Sequence, residues 1–155
     1  MFNTLSSLYI SSFAFIALKY NYVKPDIIDG YKLEIESGRH PVIERLLEES
    51  NDFIPNNVSL NRSKNLAVIT GPNMSGKSTY LRQTGIIIIM AQVGMYVPAK
   101  NAKIGMIDQL FTRVGASDNL VLGESTFLVE MQETANIINN ATERSFILLD
   151  EIGRG

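Results

Sequence analysis

Apolar side chains recur at helical spacing over the first twenty residues, where Leu5, Leu8, Tyr9, Phe13, Ile16, Ala17 and Tyr20 lie three or four apart. That spacing predicts a helix over 4–20 with a broad apolar face, read as a buried helix. Pro25 and Asp29-Gly30 mark 21–30 as a connector. Residues 31–36 alternate Tyr, Leu and Ile with Lys and Glu, which predicts a half-exposed strand. After a turn over 37–41, residues 42–50 form a short amphipathic helical pattern. Residues 51–64 are polar and irregular, with Phe53, Ile54, Val58 and Leu60 as isolated anchors.

The second half is more strongly patterned. Leu66-Ala67-Val68-Ile69-Thr70 is a short, partly β-branched apolar run that predicts a buried parallel strand. Residues 77–93 have helical content, and 86–90 are apolar all round, the mark of a helix covered on most sides. A mixed strand is predicted over 107–114 and a glycine- and Asp/Asn-containing loop over 115–123. The next helix, 125–142, carries Phe127, Leu128, Met131, Ala135, Ile138 and Ala141 on one face, with Glu130 and Glu133 on the other. A second apolar strand, 145–149, ends in Asp150-Glu151. Strands interleaved with helices argue for an α/β domain with helices flanking the sheet. No repeat or Gly/Ser/Pro-rich linker divides it.

Composition narrows the function classes. The 155 residues make one ordinary domain, and 45% hydrophobic with 19% charged residues describes a globular chain. A net charge of −2 gives no electrostatic footprint for gripping nucleic acid directly. With no cysteine and His40 as the only histidine, disulfides, thiolate sites and multi-histidine metal sites are excluded. The apolar stretch 8–18 is broken by Ser11 and Ser12 and is too short to span a bilayer. Residues 1–7 carry no positive side chain, and no small-x-small cleavage site follows. The expectation is a soluble protein with no membrane partner.

The chemistry concentrates in Gly71-Pro72-Asn73-Met74-Ser75-Gly76-Lys77-Ser78, which matches the phosphate-binding pattern G-x-x-x-x-G-K-[ST] at every specified position. Apolar run, glycine loop and helix supply the context that the motif requires. Gly71 and Gly76 are expected to turn the backbone at positive φ. Successive N–H groups then cradle phosphate oxygens at the positive end of the following helix. Lys77 would reach the β- and γ-phosphates, and the Ser78 hydroxyl would ligate Mg2+. Downstream, four apolar residues lead into Asp150, the candidate to hold Mg2+ through water, and Glu151, the candidate to orient or deprotonate the attacking water. Ser125, at the start of the long helix, reads first as an N-cap. The same geometry also makes an anion site.

Three stretches together carry a family resemblance: TGPNMSGKSTYLRQ (70–83), FTRVGASDNLVLGESTFLVEMQETANIINN (111–140) and LLDEIGRG (148–155). With Arg39-His40-Pro41 and Phe53-Ile54, they make residues 5–155 resemble the C-terminal ATPase domain of the MutS mismatch-repair family. The resemblance implies a P-loop NTPase of ABC-ATPase type, with a mixed or parallel sheet, that takes ATP and Mg2+. It also implies two composite sites per dimer, formed by two copies or by two different family members. Ser125 then faces the γ-phosphate held by the other subunit. Phe53 stacks on the adenine with Ile54 beside it, Asn73 lies near the γ-phosphate, and Pro72, Met74, Ser75 and Thr79 complete the loop. Lys77 and Glu151 become the catalytic pair. For His40 the expectation is a buried, hydrogen-bonded side chain without a chemical role, and for Arg113 a structural salt bridge.

Family members are several times longer. In them mismatched double-stranded DNA is read by domains preceding this region, and a MutL-type partner is recruited. Residues 1–30 resemble the end of the lever region, and 31–155 a partial ATPase domain ending just after the Asp-Glu strand. Beyond that strand the family continues with further strands, a site histidine and a dimerisation element. A chain lacking them is expected to expose a sheet edge, to be poorly soluble alone and to turn over no ATP by itself. A non-catalytic remnant and a recombination or structural paralogue remain as alternative readings. The resemblance implies a cytoplasmic, nucleoid-associated protein if bacterial, with nuclear or organellar settings open.

Overall fold

The computed structural model describes residues 4–47, 53–114 and 126–151. Among these described residues, six strands and four helices follow in the order α1 (Thr4–Lys19), β1 (Asp26–Ile28), β2 (Leu33–Gly38), α2 (Ile43–Leu46), β3 (Asn56–Leu60), α3 (Lys77–Gln92), β4 (Asn101–Gly105), β5 (Leu110–Arg113), α4 (Thr126–Asn140) and β6 (Phe146–Leu149). The class is mixed α/β. Four strands form one sheet in the order β1-β4-β2-β3, and β5 and β6 pair separately. Within the larger sheet β1 runs parallel to β4, whereas β2 is antiparallel to both β4 and β3. β5 and β6 are parallel, with Thr112 opposite Leu148.

Period-two alternation explains the sheet. Leu33 and Ile35 of β2, Val58 of β3, and Ala102 and Ile104 of β4 point to one face. They meet Ile87, Ile88 and Ala91 of α3, together with Ala17 of α1, Tyr22, Val97 and Ala99, in one continuous core. Each fully buried isoleucine among them contributes about 1.5–3 kcal/mol. A register shift in β2 between Ile35 and Gly38, with Ser37 at φ 51°, ends the regular ladder beside Asn56.

Several expectations are corrected. Residues 66–70 form no strand, and Leu66 and Val68 are 75% and 79% exposed. An apolar, β-branched composition suits a sheet interior, but a strand exists only beside a partner, and no described residue pairs with this run. Conversely, β1 and β3 arise where connector or irregular chain was expected, and β4 on residues that the pattern assigned to no element. β1 hydrogen-bonds to β4 at the edge of the four-stranded sheet. α1 is buried only towards its end: Ala17 is enclosed and Phe13, Ile16 and Tyr20 are half-buried, while Leu8 and Tyr9 face outward. On α4 the expected apolar face is not the packed one, although Glu133 stays exposed. Glu130 is 4% exposed and Ile137 is buried beside it, while Phe127, Leu128 and Ile138 are exposed. Glu133 reaches Arg113 of β5 at 3.0 Å, the structural ion pair expected of that arginine.

α3 positions the site. It packs against β2 and also against β6, where Gly85 lets the helix come close: a Cβ there would stand 2.8 Å from Leu148 Cδ1. Ser78 lies two turns before Gly85 on the same helical face. The face that rides over Leu148 therefore carries Ser78 to the end of β6. The turn entering β6 is stitched down by Asp108, which accepts hydrogen bonds from Thr142 Oγ1 (2.6 Å) and Ser145 Oγ (3.3 Å). The Thr142 bond foremost holds the Asp108 carboxyl below its ordinary value.

Candidate functional site

Between the glycine loop and the end of β6 lies an open cavity of about 280 Å3, lined by Asn73, Met74, Ser75, Gly76, Lys77, Ser78, Thr79 and Glu151. Two separate stretches of chain converge on it. Gly76 caps α3 at φ 88°, as the motif requires, and Met74 also takes positive φ (61°). Gly71 does not, contrary to expectation. Its need is space, since a Cβ there would lie 3.0 Å from Ser75 Oγ. The Lys77 ammonium donates to the carbonyls of Gly71 and Pro72, both at 2.8 Å, so the loop closes around its own cation.

At the edge of the cavity formed by Ser78, its hydroxyl donates to Asp150 Oδ2 at 2.5 Å. Asp150 is itself fixed by its N–H, which donates to the Arg113 carbonyl at 2.8 Å in the β5–β6 ladder. Glu151 then takes φ 50°, a conformation that costs a side-chain-bearing residue on the order of 1 kcal/mol and is held only when its surroundings impose it. A hydroxyl and a carboxylate oxygen, adjacent and beside a helix N-terminus, are a donor set that suits a hard divalent cation sharing its shell with phosphate and water. Among the described residues no group of three or more His, Cys, Asp or Glu side chains offers a protein-only metal cage.

The remaining predicted residues stand apart from this cavity. Phe53 is half-buried, Ile54 is 80% exposed, and neither lines it. They do sit on chain tied to α3: Tyr80 Oη donates to the Asn57 carbonyl (2.9 Å), and Asn56 Nδ2 donates to Gln83 Oε1 (3.4 Å). Ser125 lies outside the described residues. The sequence reading missed Gln83, although its place on the Tyr80, Gln83, Ile87 stripe of α3 marked it for burial.

Arg39-His40-Pro41 forms a separate clamp. Arg39 donates to Glu44 (2.7 Å) and to the Tyr20 carbonyl (3.1 Å), tying the end of α1 to α2. Burial first, then Glu44, pushes the Tyr22 phenol up to about 12, so it stays protonated and donates to the same carboxylate. His40 is buried, and its Nδ1 accepts from the Val42 and Ile43 N–H groups at 3.3 Å each, so it is the hydrogen-bonded histidine expected from the sequence. Burial holds its pKa below the ordinary imidazole value of 6.5. The unfolded chain therefore binds this proton more readily than the folded one. Stability from this group is complete above pH 6.5 and declines as pH falls below it, levelling only under the lower folded pKa. Melting temperatures between pH 7.5 and 5.5 should show this decline, and His40→Asn, which keeps an acceptor but cannot titrate, should flatten it.

A family profile described as MutS domain V matches residues 67–155. The DNA mismatch repair protein MutS of Chlorobium chlorochromatii is 58% identical over 146 residues, covering 94% of this chain and 17% of that protein. The protein of the same name from Persephonella marina is 58% identical over 146 residues, covering 94% and 16%. That of Thermodesulfovibrio yellowstonii is 55% identical over 152 residues, covering 95% and 18%. The chain thus spans about a sixth of the length of the curated relatives it matches.

Proposed function

Because the chain belongs to the MutS family of DNA mismatch repair proteins, we propose that it is the ATP-binding core of a mismatch-repair ATPase. The observation that carries this reading is the 2.5 Å contact between Ser78 and Asp150 at a cavity that the glycine loop shares with Glu151. The loop N–H groups and Lys77 bind the triphosphate, with the lysine exchanging its bonds to Gly71 and Pro72 for phosphate oxygens. Ser78 and Asp150 hold Mg2+, which neutralises phosphate charge when bound. Glu151 accepts a proton from water as the water oxygen bonds the γ-phosphorus and the bridging β–γ oxygen leaves with ADP.

Phe53 and Ile54 receive the adenine. Ser125 acts in trans on the γ-phosphate of a second copy or a related subunit, so turnover belongs to a dimer. Contact with mismatched DNA, and with a MutL-type partner, is the work of the longer protein of which the relatives' names speak; the net charge of −2 agrees with DNA being gripped elsewhere.

Magnesium dependence tests the site. Titration calorimetry should give ATP an affinity at least about tenfold higher with Mg2+ than with a chelator, and Asp150→Asn should erase that difference, since a neutral amide is a poor ligand for a hard cation. An Mg2+ effect unchanged in the variant removes Asp150 from the site.

A further inference from the structure

Gln83 is wholly buried on α3, and its Nε2 has no hydrogen-bond acceptor among the described residues. An unsatisfied buried amide donor is costly, because it gives up water without regaining a hydrogen bond. A leucine or methionine at that point of the core would avoid the cost, so the amide calls for a reason. The fold also makes room for it. Gly38 lies against the amide, and a Cβ there would stand 2.8 Å from Nε2, at the point where the register of β2 shifts.

The other end of the amide supplies the reason. Gln83 Oε1 accepts from Asn56 Nδ2, and the same Nδ2 donates to the Ile54 carbonyl at 3.1 Å. Tyr80, one turn earlier on the same face of α3, holds the Asn57 carbonyl. Two neighbouring side chains of the helix that begins at Lys77 therefore fix the start of β3. One of them reaches through Asn56 to the backbone of Ile54.

We infer that Gln83 and Asn56 are positioning residues that register the Phe53–Ile54 segment on the α3 helix, setting where a nucleobase is held relative to the triphosphate. The inference rests on the proposed ATP site and deepens it. Gln83 touches neither base nor phosphate. It acts through Asn56, which presents the Ile54 peptide at a fixed distance from the loop.

The relay predicts a split between two ligands, Mg·ATP and Mg·tripolyphosphate, titrated against the 155-residue chain. Asn56→Ala, at a half-exposed position, and Gln83→Met, which keeps the core filled, should each weaken ATP binding about tenfold. Tripolyphosphate affinity should stay within about twofold, and the double variant should bind ATP as each single one does, because the two act in series. A role confined to folding would lower both ligands together, and that result, or unchanged ATP affinity, overturns the relay. If Gln83→Met gives no cooperative melt, the Asn56→Ala pair of titrations decides alone. Failure of the unsubstituted chain to bind either ligand overturns the site and the relay with it. Binding of both with no split in the variants overturns the relay only.

Discussion

Lys77→Ala is expected to lower the affinity of the chain for Mg·ATP by about 100-fold, or ~2.7 kcal/mol, with the melting temperature nearly unchanged. Among the described residues the ammonium bonds only to the carbonyls of Gly71 and Pro72 in its own loop, and both bonds are exposed, so removing it disturbs no core contact. What is lost is a charged donor beside a phosphate, worth about 1.5–3 kcal/mol per hydrogen bond in a site of this kind. Calorimetry on both chains, with a thermal melt of each, separates affinity from folding. Equal affinities would remove Lys77 from nucleotide binding, and with it the reading of the loop.

A second large effect concerns the fold alone. At Gly105, the end of β4, a Cβ would stand 2.0 Å from the Gly30 carbonyl oxygen and 2.9 Å from its carbon. Both are backbone atoms, and Gly105 is locked in place by its N–H donating to the Lys32 carbonyl at 2.7 Å. Relief requires the turn between β1 and β2, which carries Gly30, to move away from β4. Gly105→Ala should therefore exceed the 1–3 kcal/mol usual for overpacking, reaching ~4 kcal/mol, or about 12 °C in a domain of this size. Gly30→Ala is the control: nothing lies within 4 Å of its Cβ, so its melt should match the parent within about 0.5 kcal/mol. A Gly105→Ala chain melting with the parent would mean that the three strands do not meet as described.

Much of the candidate site could be read from the residues because its signals are local. The glycine spacing, the helix after it and the apolar strand ending in two acids each depend on a few adjacent positions, and the structure brings Lys77, Ser78 and Glu151 to one cavity, with Asp150 bonded to Ser78. The misreadings share a different cause. The run at 66–70 has the composition of a strand, but composition cannot supply the neighbour that makes it one. In α4 the periodicity finds an apolar stripe, yet the packed side is decided by β5 and carries Glu130. β1 and β3 are short, and their alternation is diluted by Asp26, Asn56, Asn57 and Ser59, so sheet pairing, not pattern, creates them. Gln83 hides among apolar residues on a helix, and only its partners reveal what the amide serves.

The closeness of α3 to β6 has a consequence for how this chain can vary. Gly85 has only a hydrogen where any other residue would wedge Leu148 aside. The span from Ser78 to Asp150 is thus calibrated from two helical turns away, by an atom that has no place in the lining of the cavity. Packing and chemistry share a single ruler here, and its zero mark is that hydrogen.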